Sequence, residues 1–275
     1  MGEGRLYVCA TPIGNLGDIT DRLRHVLSEV DLIYAEDTRR AAKLLSHLGI
    51  HTQVRSLFAG NEKERSDEVI GKLIEGLDIA LISDAGMPTI SDPGAWAVSL
   101  AHSRGLAVSV VPGPSSVITA LALSGFPADR FVFEGFLPRK GQERARRLER
   151  LAADDRTTVI FASPRRLAED LADLRRSVGD DRLVAVTREM TKLYEEIWVG
   201  TIGEAAELWP GEVKGEVTIV VAGADDASDH LDTAVALARG LVDAGESLSG
   251  AARTAAEETG ASRRSVYQAL LADQG

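Results

Sequence analysis

Five short segments concentrate the residues able to do chemistry, and each lies beside a strand-like run. Thr11-Pro-Ile-Gly-Asn-Leu-Gly-Asp18 carries two glycines that permit tight turns and close approach of the main chain to a ligand. Ser83-Asp-Ala-Gly-Met-Pro-Thr-Ile-Ser-Asp-Pro-Gly94 places two Asp, two Gly and two Pro within twelve residues. Asp84 and Asp92 can accept hydrogen bonds from a ribose or an amino group, and Gly86 lets the backbone meet an adenine or a methionine moiety. Asp92-Pro93 also has the pattern of a helix start, with Asp92 as cap and Pro93 at the first helical position. That capping role is expected for Asp92, and ligand binding for Asp84-Ala85-Gly86. Pro112-Gly-Pro-Ser-Ser116 offers two hydroxyls that can cap the next helix or bind a ligand. Arg188-Glu-Met-Thr-Lys192 and Lys214-Gly-Glu-Val-Thr218 complete the set. The Thr11–Asp18 segment is neither a G-x-G-x-x-G nor a G-x-x-x-x-G-K-[ST] pattern, so dinucleotide and P-loop chemistry lose most of their support.

The elements that must position these segments alternate along the chain. Short β-branched runs (Leu6–Ala10, Leu32–Ala35, Ile79–Ser83, Ala107–Val111, Thr158–Phe161, Leu183–Thr187, Val217–Val221) are separated by stretches of helical period. In the first helix Ile19, Leu23, Val26, Leu27 and Val30 share a face, with Thr20 as the expected cap. The alternation predicts an α/β fold with mostly parallel sheets. Open α/β sheets bind ligands beyond their strand ends, so the five segments together point to a cleft between two lobes. Val111-Pro-Gly-Pro-Ser115 reads as the joint, giving lobes at 1–112 and 113–223. After the Ala224–Asp229 linker, a small helical module is expected over 230–275. Its Leu248–Thr259 and Arg263–Leu271 helices, with Gly260-Ala261-Ser262 as the turn and Ser262 as cap, have helix-turn-helix spacing.

Charge and composition narrow the classes. The 275 residues include 44% hydrophobic and 27% charged residues, an ordinary globular balance that excludes a disordered chain. No apolar run approaches the roughly 20 residues a membrane helix needs. The start of the chain lacks a signal-peptide layout, and the single Cys9 cannot form an internal disulfide, so a cytoplasmic location is expected. Five scattered His and no zinc-finger spacing give no reason to expect a metal. The net charge is −11, yet Pro138–Arg150 has six basic and two acidic residues, whereas 224–275 has four basic and nine acidic. Affinity for DNA comes chiefly from neutralised phosphates, so the tail is expected to be a packing module rather than a DNA reader. The middle of the chain is the better candidate to meet a polyanion.

The set PIGNLGD (12–18), AEDTR (35–39), SDAGMPTISDPG (83–94), VPGPSS (111–116), FEGFLPRKG (133–141), REMTK (188–192) and KGEVTIVVAG (214–223) resembles the tetrapyrrole-methylase-like family of class III methyltransferases dependent on S-adenosylmethionine (SAM). Within that family the EDTR and FLPRKG elements and the helical tail are similar to the branch of bacterial 16S rRNA cytidine-2′-O-methyltransferases. The resemblance implies two α/β lobes with SAM in the cleft between them, a homodimer, and a cytidine ribose in the decoding region as acceptor. An assembled 30S subunit is the substrate the family suggests. SAM contacts are then implied at Pro12, Asp84, Ala85, Gly86, Thr89, Ile90, Ser115, Ser116, Phe161, Met190, Val217 and Thr218. DAGMP stands here where many relatives have G-x-G-x-P, which singles out Asp84. A tetrapyrrole precursor as substrate, or a ligand-sensing transcription factor, remain the alternatives at this stage.

Methyl transfer to a ribose hydroxyl is an in-line displacement with a neutral thioether leaving group. No general acid is needed, but the hydroxyl must lose its proton, and a nearby carboxylate can take it. Asp37 and Glu36 in AEDTR, then Glu189, are the candidates. The alternative for the first two is a helix start near the positive end of the dipole. An RNA acceptor calls for a basic surface, for which Arg39, Arg40, Arg139, Lys140, Arg144, Arg146 and Arg147 are the expected phosphate contacts. For the 144–147 run, a solvated helix face paired to Glu143 and Glu149 is the competing expectation.

Overall fold

In the computed structural model the described residues are 2–224, 227–259, 261 and 263–272. The first sheet is built from β1 (Arg5–Cys9), β2 (Leu32–Ala35), β3 (Val54–Ser56), β4 (Ile79–Ile82) and β5 (Ala107–Val111), in the order β3-β2-β4-β1-β5. Every pairing in it is parallel. Strand side chains alternate between two cores, as a period of two requires. Cys9, Ile33, Ala35, Ala80 and Ile82 pack with α1 (Asp21–Glu29) and α2 (Thr38–Leu48). Leu6, Leu32, Tyr34, Ile79 and Leu81 pack with α3 (Glu62–Ile74) and α4 (Ala95–Ser103) on the other face. Thr20 caps α1 as expected, its hydroxyl accepting from the Leu23 amide at 3.1 Å. Cys9 is core, its thiol pushed up to about 12 by burial.

After α5 (Ser116–Ser124), the second sheet comprises β6 (Phe131–Phe136), β7 (Thr157–Ala162), β8 (Leu183–Arg188), β9 (Glu196–Thr201) and β10 (Val217–Val221), in the order β6-β7-β10-β8-β9. Here the two strand directions mix. β6 and β7 are parallel, but β7–β10, β10–β8 and β8–β9 are antiparallel. Five of the eight strand pairings are therefore parallel, all but one of them in the first sheet. The cause is partly local. Only residues 189–195 separate β8 from β9, and a parallel connection needs about a dozen residues or more. Val117, Ala120 and Leu121 of α5 bury one face of this sheet against Val159, Ala185 and Val220.

α6 (Gln142–Ala153), α7 (Leu167–Val178) and α8 (Ile202–Leu208) complete the α/β part. By contacts the chain forms two compact units, one containing both sheets and the other combining Glu149–Arg156 with the chain from Gly223 onward. In the second unit α9 (Ala227–Asp243), α10 (Leu248–Thr259) and α11 (Arg263–Ala272) enclose Ala234, Ala238, Ala251, Ala252, Ala255, Val266 and Leu270. Alanines at these positions let the helices approach closely. The expected turn residues Gly260 and Ser262 lie outside the described residues.

Candidate active site

The loops expected to bind ligand gather at the carboxyl ends of the first sheet, where β1, β2, β4 and β5 deliver residues 10–18, 36–37, 83–94 and 112–115. Two of them are clamped together. The Thr11 amide donates to the Gly86 carbonyl at 2.9 Å, and the Gly86 amide returns a bond to the Thr11 carbonyl at 3.1 Å. The Thr11 hydroxyl reaches the Ser83 carbonyl and the Ser83 hydroxyl the Gly86 carbonyl. Gly86 has φ +78°, a left-handed conformation that glycine adopts without the strain an L side chain would bring.

Beside this clamp lies a cavity of about 400 Å³ between the two sheets. Ile13, Ala85, Gly86, Met87 and Ile90 form its first-lobe wall, Ser115, Ser116 and Val117 its floor at the joint, and Phe136, Phe161, Met190, Val217 and Thr218 its second-lobe wall. Nine of the twelve residues expected to contact SAM thus line one cavity. Pro12 and Asp84 line a neighbouring cavity of about 270 Å³, which also includes Ala85. Thr89 lines neither cavity; it holds φ +74° in the loop between them and α4. Ser115 sits at the N-cap of α5 but makes no capping bond with its side chain, so its hydroxyl remains available to the cavity it lines. Strained backbone is concentrated here: the four non-glycine residues with left-handed φ are Thr89, Ser91, Glu189 and Thr191, among the described residues. Such conformations cost about 1–3 kcal/mol each and cluster where function demands them.

The carboxylates divide into tied and untied. Asp37 caps α2, its side chain accepting from the Arg39 amide at 2.8 Å and from the Arg39 guanidinium at 2.6 Å. That guanidinium holds its carboxyl far below the usual range, which makes Asp37 a helix cap and a poor proton acceptor. Glu189 is likewise engaged, by Lys192 at 2.8 Å and the Glu216 amide at 2.9 Å, and its carboxyl is pulled down mainly by Lys192. Glu36 is pushed up, first by burial and then by the charge of Asp84. Asp84 accepts from the Asp37 amide at 3.0 Å and faces Arg40 at 3.5 Å.

Asp92 overturns its sequence assignment. α4 begins at Ala95 with Gly94 at the cap position, and the capping acceptor is the Glu62 carboxylate of α3, 2.8 Å from the Gly94 amide and 3.2 Å from that of Trp96. Relieved of that duty, Asp92 lines the 400 Å³ cavity. Burial, then the charges of Glu36 and Asp84, push it up to about 6. The S-D-P pattern concealed this role, because nothing near Asp92 in sequence signals that Glu62, 30 residues earlier, supplies the cap.

The basic residues are also sorted. Arg39 and Arg40 are exposed on α2 although ion-paired, and Arg139 and Lys140 are exposed in the loop before α6. Arg146 is exposed, and Arg147 is half-buried against Glu134 and Glu143. Arg144 is removed from the RNA surface. Its side chain is 6% exposed and bonded to Asp170 at 2.8 Å, Asp173 at 2.6 Å and the Pro138 carbonyl. It packs α6 onto α7 instead.

Two α/β lobes around a mostly apolar cavity, with a few polar groups on strand-end loops, define a small-molecule-binding α/β protein. The sequence profile of the Tetrapyrrole (Corrin/Porphyrin) Methylases matches residues 5–206, and the chain belongs to this family. Among its relatives, the protein called ribosomal RNA small subunit methyltransferase I of Xylella fastidiosa (strain Temecula1) is 43% identical over 96% of this chain and 98% of its own. The protein of the same name from Escherichia coli O157:H7 is 40% identical over 99% and 96%. Among solved structures, diphthine synthase superposes with a TM-score of 0.62 at 16% identity, covering 79% of this chain and 89% of that one. Uroporphyrin-III C-methyltransferase from Thermus thermophilus, complexed with S-adenosylhomocysteine, gives 0.58 at 20% identity, over 80% and 97%. These structures share the fold.

Proposed function

We propose that this chain transfers a methyl group from SAM to the 2′-hydroxyl of a cytidine ribose in the decoding region of 16S rRNA. The acceptor is presented by the 30S subunit, and the enzyme works as a cytoplasmic homodimer. The near-full-length similarity to proteins called ribosomal RNA small subunit methyltransferase I carries the reading. Among the described residues no helix is long and apolar enough to cross a membrane. Exposed Val110 on the edge strand β5 and exposed Ile118 and Leu123 on α5 support self-association. Methylation of a tetrapyrrole precursor is the less supported alternative.

The cavity fits the cofactor by its chemistry. Its volume falls within the roughly 300–1,000 Å³ of small-molecule sites, its walls are apolar, and its polar groups are few and fixed. The Ala85-Gly86 main chain, Ile90, Ser115, Ser116, Phe161, Met190, Val217 and Thr218 would hold SAM there, with Pro12 and Asp84 on the side of the neighbouring cavity. SAM supplies the electrophilic methyl group when bound. The Thr11–Gly86 clamp and the strained 89–91 segment fix the loops in advance, and well-aligned reactants can account for as much as ~7–11 kcal/mol of a barrier. Asp92 accepts the proton of the attacking hydroxyl. Its value near 6 lets it be ionised at neutral pH and still basic enough to assist. Burial, then the charges of Glu36 and Asp84, keep it there. The exposed Arg39, Arg40, Arg139, Lys140 and Arg146, with the partly exposed Arg147, face the RNA phosphates.

The test uses purified protein, radiolabelled SAM, and 30S subunits from cells lacking this activity, with naked 16S rRNA and a precorrin alongside. Label at one cytidine ribose of the 30S subunit supports the whole reading. Label confined to the precorrin overturns the substrate.

A further inference from the structure

The 270 Å³ cavity adjoins the larger one and shares Ile13, Ala85 and Glu216 with it. Its outer wall is one face of α2, which brings Arg40, Lys43 and Leu44 to the opening, opposite Leu16 and the Lys192 loop. Three cations line it with two carboxylates, Asp84 and Glu216, while a third carboxylate, Glu189, bonds Lys192 from outside the lining. Two of the cations are engaged. Arg40 faces Asp84 at 3.5 Å, and Lys192 bonds Glu189 at 2.8 Å and Glu216 at 2.9 Å. Lys43 is exposed and pairs with no carboxylate among the described residues. It therefore presents an uncompensated positive charge at the rim of a small cavity whose neighbour is the cofactor site.

We infer that this second cavity receives the acceptor nucleotide itself, swung out of its RNA, with Lys43 gripping the phosphate and the wall at Ile13 and Ala85 bringing the ribose to the methyl donor. The inference rests on the RNA methylation proposed above and assigns that reaction's substrate subsite. Size supports it, because a cavity just below the usual small-molecule range of roughly 300–1,000 Å³ has room for one nucleotide and not for a four-ring macrocycle. Enzymes that act on a nucleotide inside structured nucleic acid take it out of the stack. Leu16 and Leu44 give the base an aliphatic surface, and Asp84 on the shared side faces its polar edge or the ribose. Lys192 has a second task. Its side chain lies where a Cβ on Gly14 would stand, so the first-lobe loop closes onto it only because residue 14 is glycine.

The experiment compares Lys43→Glu and Lys43→Arg with the unaltered enzyme on 30S subunits, measuring KM for the subunit across salt concentrations and Kd for SAM by calorimetry. Loss of one phosphate contact by charge reversal should raise KM by about tenfold, the worth of one charge-assisted hydrogen bond. The salt slope should fall by about 0.7, the value for one phosphate of single-stranded nucleic acid. SAM affinity should be unchanged, and Lys43→Arg should restore both KM and slope. A Lys43→Glu enzyme with unaltered KM and slope overturns the nucleotide subsite while leaving RNA methylation standing. An unaltered enzyme that labels no RNA removes the reaction and this subsite together.

Discussion

Glu62 caps a helix to which it does not belong. Its carboxylate accepts the Gly94 amide at 2.8 Å, so the start of α4 is secured from α3 and the 83–94 loop is pinned at its far end. Glu62→Ala should cost about 1–2 kcal/mol, the usual worth of a lost N-cap, and should also weaken SAM binding, since the loop lining the cavity loses its anchor. Glu62→Gln keeps an acceptor oxygen and should lose less of both. Urea denaturation and calorimetric titration with SAM read the two effects. An alanine variant with undiminished stability would mean that the cap is replaceable by water.

Asp92→Asn separates stability from catalysis. The native carboxyl sits near 6, above its ordinary 3.8, so ionising it disfavours the folded state. That penalty is absent below about 3.8 and complete above about 6. The asparagine variant should therefore melt higher than the parent at pH 8, with the difference vanishing toward pH 4. Its methylation rate should collapse and lack the rise through pH 6 expected of the parent. Such opposition of activity and stability is expected of a group held in an unfavourable state for its task. Equal melting points at pH 8 would place Asp92 outside the acidic cluster.

Asp37 makes the contrasting case. Its carboxyl is occupied by Arg39 and by the start of α2, so its contribution is structural. Asp37→Ser retains a capping oxygen and should leave turnover within about threefold of the parent, an amount worth less than 1 kcal/mol. Asp37→Ala should lower the melting temperature before it lowers kcat measured well below that temperature. A serine variant without turnover would return Asp37 to the chemistry.

What the sequence made legible was what depends on near neighbours. Strand-end glycines and prolines marked the loops, the helical period and Thr20 marked α1, and nine of the twelve residues the resemblance named for the cofactor line one cavity. Two misreadings involve partners remote along the chain. Asp92 looked like a cap because Pro93 follows it, yet Glu62 does the capping. Arg144 looked like part of a basic stripe, yet its partners are Asp170 and Asp173, 26 and 29 residues away. The three antiparallel pairings of the second sheet were hidden because β-branched runs give strand positions and carry no strand direction. Lys43 had no signal at all, being one lysine on an amphipathic helix until the fold put a cavity beneath it.

Arg144 and Arg139 offer the sharpest separation of packing from RNA contact, since both belong to one basic stretch. Removing one member of a buried ion pair typically costs about 3–5 kcal/mol, because the remaining charge stays buried without its partner. Arg144→Ala strands Asp170, whose side chain is 7% exposed, and should cause a loss of that order in denaturant. At a temperature where the variant is folded, its RNA affinity should keep the parent's salt slope, because no phosphate contact has gone. Arg139→Glu should do the reverse, leaving the denaturation midpoint in place while lowering affinity and flattening the slope by about 0.7 for each lost phosphate. If Arg144→Ala instead flattened the slope at unchanged stability, the pair with Asp170 would have to open on RNA binding and free the guanidinium for the phosphates.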